Sequence, residues 1–332
     1  MKTKLLAFLC YSLRSSSAQE FFTSTSQDDG NLPFHAVTVL ASHNAHANRA
    51  AASTFFETLG INQENSIYDQ LAVDGVRALL MDIKLDRSYT DDPLRLVHDP
   101  LDYGGFGEEM FNNLVPFLEE DGSAVVSLYL QAVGDTNTGN DQSIRAEMLE
   151  QLKVVFDRLE VNGLPLKALT FKYNDAAWEN HDEWPTMNEL RQANQRVFVF
   201  SDRSEFFDLE YGFMHNQHVM QENDWQGIGA CISRFMWQSL RVSFPTNTKN
   251  WRRLFFMNHF CCDAGAQSHG SVIPNGSPLL GGGDNGWGIL YPRIKMCMEN
   301  NGGVKPNFIA LDWVIENEQA RSVANFMNSE EH

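Results

Sequence analysis

The chain has 332 residues, enough for one large α/β domain as readily as for two small ones. Its 25 basic and 43 acidic residues give a net charge of −18, which implies no basic surface of the kind nucleic-acid binding needs and disfavours electrostatic attachment to anionic membranes. Apolar residues make up 43% and charged residues 20%, a globular composition rather than a disordered or fibrous one.

Residues 1–18 read as an export leader. Lys2 and Lys4 give a basic start, Leu5 to Leu13 a short apolar core, and Ser15-Ser16-Ser17-Ala18 the small residues of a cleavage site. The core is too short to span a bilayer, and no later segment is long and apolar enough to do so. The expectation is a secreted, extracellular protein. Of five cysteines, Cys10 leaves with the leader. Cys231, Cys261, Cys262 and Cys297 remain, an even count that suggests two disulfides in an exported chain. A vicinal Cys261–Cys262 bridge would be strained, so one of the two is expected to reach Cys231 and the other Cys297. The CxxC spacing of a zinc site is absent. Asn275-Gly276-Ser277 is a glycosylation sequon in a loop rich in Gly and Pro.

Residues 19–33 are polar and read as a flexible arm, followed by one domain over 34–328. Ala36 to Ala41 is the first strand, ending at Ser42-His43-Asn44-Ala45-His46. Residues 47–59 read as partly helical. Ser66 caps a helix whose apolar face includes Ile67 and Leu71, and Gly75 ends it. Val76 to Ile83 is the second strand, and Leu94 to His98 a short extension. Glu108 to Glu120 is amphipathic, Ala124 to Leu130 the third strand, and Ile144 to Leu159 a clear helix. Leu166 to Phe171 reads as the fourth strand, Pro185 enters a helix, and Arg196 to Ser201 is the fifth strand. Residues 211–243 are aromatic and irregular and give no assignable pattern. Leu254 to Asn258 reads as a late strand, 263–288 as a loop, and Phe308 to Val314 as the last strand. Strands alternating with helices imply parallel βαβ units, in a closed TIM-type barrel or an open doubly wound sheet.

Polar residues at strand ends carry the chemistry. Ser42-His43-Asn44 comes first, then Gln70-Leu71-Ala72-Val73-Asp74-Gly75-Val76-Arg77, then Met81-Asp82-Ile83, then Val97-His98. Four motifs in this order resemble the X-domain signature of the phosphatidylinositol-specific phospholipase C superfamily. Phe256-Met257-Asn258-His259-Phe260 and Pro306-Asn307-Phe308-Ile309-Ala310-Leu311-Asp312 extend the likeness, which is greatest to secreted phospholipase C-like phosphodiesterases of fungi and related microbes. The resemblance implies a single α/β domain of TIM (β/α)-barrel type, possibly distorted, with its site at the carboxyl ends of the strands.

It also implies roles. His43 takes the general-base position, His98 the general-acid position, and Asp312 that of the carboxylate orienting the base. Histidine suits both proton transfers because its ordinary pKa lies near working pH. Calcium-dependent relatives place oxygen ligands at four positions, where this chain has Asn44, Leu80, Asp82 and Tyr129; two ligands are missing. Lys84 stands where metal-free relatives carry an arginine, so a cation there would serve the phosphoryl oxygens. No metal or other cofactor is expected. Metal-free bacterial relatives have Asp after the first histidine; Asn44 here could orient His98 without raising its pKa by charge, with Asp82 compensating, or could hydrogen-bond the substrate phosphate instead. Arg203, after the fifth strand, and Asn258 with His259 are candidates for substrate binding. His46 has no motif role and reads as a supporting or solvent-facing residue.

The expected activity is metal-independent cleavage of an inositol phospholipid, or a glycosylated relative, through a cyclic phosphate by a monomeric protein with at most transient membrane contact. Two alternatives remain. A glycerophosphodiester phosphodiesterase shares the barrel but needs a Glu-x-Asp metal pair, and Leu80-Met81-Asp82 lacks the Glu. A catalytically silent phospho-ligand binder is the other.

Overall fold

The computed structural model describes residues 30–54, 57, 60–98, 100–133, 141–223, 251–259, 287–314 and 318–329. The expected leader, most of the expected arm, Cys231, Cys261, Cys262 and the sequon fall outside them; Cys297 is buried. The strands are β1 (Val39–Ser42), β2 (Ala78–Leu85), β3 (Leu94–His98), β4 (Leu101–Gly105), β5 (Val126–Ala132), β6 (Glu160–Val161), β7 (Leu164–Pro165), β8 (Val197–Ser201), β9 (Phe213–His215), β10 (Met220–Glu222), β11 (Leu254–Asn258) and β12 (Phe308–Leu311). Eight of them form one curled parallel sheet in the order β10-β11-β12-β1-β2-β5-β8-β9. Among the described residues no ladder joins β9 to β10, which are linked by the helical turn Asn216–Val219. The fold is thus an α/β barrel open along one seam. No helix among the described residues is long and apolar enough to cross a membrane.

β2 outruns its neighbour β1, and its last residues need another partner. They pair antiparallel with β3, Ile83 against Leu96 and Leu85 against Leu94, and β3 in turn pairs with β4. This hairpin brings His98 to the same end of the barrel as the end of β1. The separate β6–β7 hairpin turns through Asn162 and Gly163, both at positive φ, as a two-residue turn requires.

Period-two alternation separates two cores. Leu79, Met81, Ile83, Val126, Leu128, Leu130, Ile309 and Leu311 face the helices in one apolar cluster. Ala41, Ala78, Leu80, Tyr129, Phe198, Phe200, Met220, Phe256, Phe308 and Ala310 fill the barrel in another. Phe34, Trp184 and Trp251 belong to the inner cluster, and Phe34 stacks on Phe198 at 3.9 Å.

Several elements differ from the reading of the sequence. Leu166 to Phe171 is no strand: it forms a 3-10 turn at Leu166–Ala168 and one parallel bridge, Thr170 to Val197. Upstream of Ser201, β8 already has β5 on one side, and β9 takes the other side from Val199 onward. The irregular stretch contains the three-residue strands β9 and β10. The amphipathic stretch from Glu108 is interrupted by a π-type turn at Met110–Leu114, after which Val115–Glu120 carries Pro116 in its first turn. A proline cannot donate to the preceding turn, which accounts for the wider winding before it. Helices Trp287–Asn300 and Glu318–Ser329 complete the described chain.

Candidate active site

The barrel lining changes from apolar to polar in one step. Two residues beyond Ala41, Leu80, Met220, Phe256 and Ala310 stand His43, Asp82, Glu222, Asn258 and Asp312. Period-two geometry carries the inward side of each strand into this polar layer. A crevice lined by Phe34, Val37, Val39 and Met187 lies at the amino ends of the strands and shares no residue with it.

His43 and Asp312 leave adjacent parallel strands. The His43 amide still pairs with the Leu311 carbonyl at 2.9 Å, and the chain then turns through Asn44 at φ 47°. An asparagine accepts that left-handed conformation at small cost. After Asp312 the chain turns through Trp313 at φ 52°, where a bulky side chain is strained by about 1–3 kcal/mol. His43 Nδ1 lies 2.8 Å from Asp312 Oδ1. The carboxylate accepts, so Nδ1 carries the proton and Nε2 is left with its lone pair. The Asn62 amide donates to the same oxygen at 2.8 Å, and Asp312 is buried.

His98 Nδ1 donates to the Gly60 carbonyl at 2.9 Å, which leaves its Nε2 as the exchanging nitrogen. The Asn44 side-chain amide donates to Asn62 Oδ1 at 3.5 Å, and Asn44 is buried. His46 is fully buried, not solvent-facing. Its Nε2 donates to the Val97 carbonyl at 2.9 Å. Burial lowers its pKa to about 3, the Val97 hydrogen bond opposes this, and the nearby His98 and His43 lower it further. The three imidazoles therefore share one neighbourhood.

The motif from Gln70 to Arg77 fixes backbone in this fold. Gln70, itself buried, donates to the Ala45 and Asn65 carbonyls and pins the loop that follows His43. Arg77 donates to the Leu71 and Val76 carbonyls and pairs with Asp121 at 3.8 Å.

The other candidates stand at the same end of the strands. Asp82 and Lys84 share the inward side of β2 and are both half-buried. Lys84 lies opposite Arg95 in the β2–β3 ladder. Asp86 is held below the usual carboxylate range by hydrogen bonds from Ser88, with smaller contributions from Arg95 and Lys84. Arg203 donates to the Ala132 carbonyl at 3.1 Å and lies 3.3 Å from Asp202, whose own pKa is raised by burial. Asn258 donates to Glu222 Oε1 at 2.9 Å and to the Asn223 carbonyl at 2.9 Å. His259 is buried, its amide bonded to the Ala310 carbonyl.

Glu222 escapes a reading of the sequence. It is buried and faces Tyr129 Oη at 3.4 Å, while Asn216 donates to that hydroxyl at 2.5 Å. Its only signal is the two-residue step from Met220, invisible until β10 is recognised as a strand. At the calcium-ligand positions, Leu80 lies in the apolar inner layer and Tyr129 Oη is engaged by Asn216 and Glu222. That donor set does not fit a hard cation held in the manner of the calcium-dependent relatives.

A family model described as PI-PLC X 1 matches residues 33–328. A PI-PLC X domain-containing protein of Arabidopsis thaliana is 24% identical over 309 residues, covering 89% of this chain and 62% of that protein. The chain thus spans less than two thirds of the length of that relative. The phosphatidylinositol-specific phospholipase C of Listeria monocytogenes superimposes with a TM-score of 0.52 at 12% identity, over 92% of this chain and 97% of the other. A structure of the Staphylococcus aureus phosphatidylinositol-specific phospholipase C gives 0.51 at 10% identity, over 92% and 96%. At these identities the structural likeness concerns the fold alone.

Proposed function

The chain belongs to the PI-PLC X-domain family, and on that premise we propose that it is a phosphodiesterase of the phosphatidylinositol phospholipase C type acting without a metal ion. The observation that carries the reading is the His43–Asp312 pair at 2.8 Å, with His98 anchored through Nδ1 in the same neighbourhood. Asp312 fixes the His43 tautomer and stabilises its cation, so Nε2 can take a proton from an attacking hydroxyl. A hydroxyl vicinal to the phosphodiester gains from high effective molarity. Its oxygen bonds to phosphorus, the bond from phosphorus to the lipid alcohol breaks, and His98 Nε2 gives a proton to the departing oxygen. The products are a cyclic phosphate and a free alcohol. Lys84 supplies positive charge near the phosphoryl oxygens, and Arg203 and Asn258–His259 contribute to headgroup binding.

The substrate class is an inositol phospholipid or a glycosylated relative, met at a membrane surface by a secreted protein. Export is tested by finding the protein in culture medium with residues 1–18 removed. The site assignment is tested by His43→Ala and His98→Ala, each expected to lower turnover by about 10²–10⁴. Near wild-type turnover in either folded variant would remove that residue from the mechanism.

A further inference from the structure

We infer that the segment Gly60–Gln63 is a single cradle that positions both histidines, so that His43 and His98 are set as one unit rather than independently. The inference rests on the phosphodiesterase reading for its functional meaning, but its geometry stands apart from it. Gly60 accepts from His98 Nδ1 through its carbonyl at 2.9 Å. Two residues on, Asn62 donates at 2.8 Å to the Asp312 oxygen that holds His43. Asn62 Nδ2 and His43 Nδ1 stand 3.5 Å apart as two donors sharing one acceptor. Gln63 donates to the carbonyls of His43 at 2.8 Å and Leu311 at 2.9 Å, and accepts from the Val314 amide at 3.2 Å.

The segment is itself anchored at both ends of the site. The Asn62 amide donates to Ala47, in the loop after His43. The Trp313 amide donates back to the Asn62 carbonyl at 2.8 Å. Ile61, Asn62 and Gln63 are buried. Gly60 is confined too: a Cβ there would meet Leu101 Cδ1 at 2.7 Å and Tyr103 Oη at 3.0 Å. Leu101 and Tyr103 belong to β4, the partner of the strand that carries His98. Four residues therefore join the ends of β1, β12 and the β3–β4 hairpin. A buried polar network of this kind is either fully satisfied and rigid or costly, so a change at one member is passed to the others. Asn62 and Gln63 are positioning residues, since each acts through another group.

The test uses the whole chain with ¹⁵N-labelled histidine, following ring-nitrogen shifts against pH for wild type, Asn62→Leu and Gln63→Met. Wild type is expected to show both His43 and His98 protonated at Nδ1 when neutral. In Asn62→Leu, the ring-nitrogen shifts of His43 and of His98 should both move, because the segment that carries the lost donor also carries the Gly60 carbonyl bonded to His98. Gln63→Met, which keeps chain volume and loses both donors, should move the two histidines in the same way. On an inositol phospholipid, kcat should fall ~10–100-fold with KM changed less than about twofold. Movement of His43 alone, or of neither histidine in folded variants, overturns the inference. Absence of wild-type turnover with coupled histidine shifts would instead overturn the phosphodiesterase reading and leave the cradle intact.

Discussion

His46 should make this protein acid-sensitive in a way one substitution removes. Its Nε2 is committed to the Val97 carbonyl, so a second proton must go to Nδ1, which is buried with no hydrogen-bond partner. The pKa is accordingly lowered from 6.5 to about 3. Because the folded value lies below the unfolded one, the stabilisation is complete above pH 6.5 and is lost as pH falls towards 3. One pH unit is worth about 1.4 kcal/mol, so at pH 5 this residue alone should cost about 2 kcal/mol relative to pH 8. His46→Gln keeps an N–H for Val97 and cannot titrate. Urea unfolding at pH 8 and pH 5 is the assay. Wild type should lose about 2 kcal/mol more than His46→Gln between the two conditions. Equal losses in the two proteins would show that His46 takes up its proton without unfolding and would refute the argument.

Asp312→Asn should lower kcat by about 10²–10⁴ with a small change in KM, because an amide cannot stabilise the His43 cation; steady-state kinetics on an inositol phospholipid reads this directly. Lys84→Met should lower kcat more than it raises KM, Lys84→Arg should keep substantial activity, and added calcium should rescue neither effect; full activity in Lys84→Met removes it from the mechanism. Burial, then the neighbouring Glu108, raises the half-buried Glu109 to about 7. A carboxyl with a raised folded pKa stabilises below its unfolded value and loses that contribution as pH rises through about 7. Glu109→Gln should therefore raise Tm by about 2–4 °C at pH 8 and hardly change it at pH 4; equal shifts at both would contradict this.

The strand ends that carry His43, Asp82, Asn258 and Asp312 were legible because apolar runs stop there and polar residues follow at a two-residue step. His98 was legible from the run Leu94 to Val97, though not the reason for its placement, which is that β2 is longer than β1. The rest depends on contacts that local pattern does not encode. Asn62 and Asp312 are 250 positions apart, and nothing in a polar turn announces its partner across that distance. Strands of three residues, β9 and β10, are too short to show a period, so Glu222 stayed hidden beside Tyr129. Gln70 and Arg77 teach the opposite lesson: a strong motif turned out to fix backbone carbonyls, of Ala45 and Asn65 for Gln70 and of Leu71 and Val76 for Arg77.

The central claim is that the two histidines, with no metal ion, turn an inositol phosphodiester into a cyclic phosphate. Phosphorus NMR of the products formed from phosphatidylinositol vesicles in excess EDTA tests it most directly. A cyclic inositol phosphate that accumulates with wild type and is missing with His43→Ala is the predicted result. An acyclic phosphate as the first product, or activity that vanishes in EDTA and returns with calcium, would contradict it.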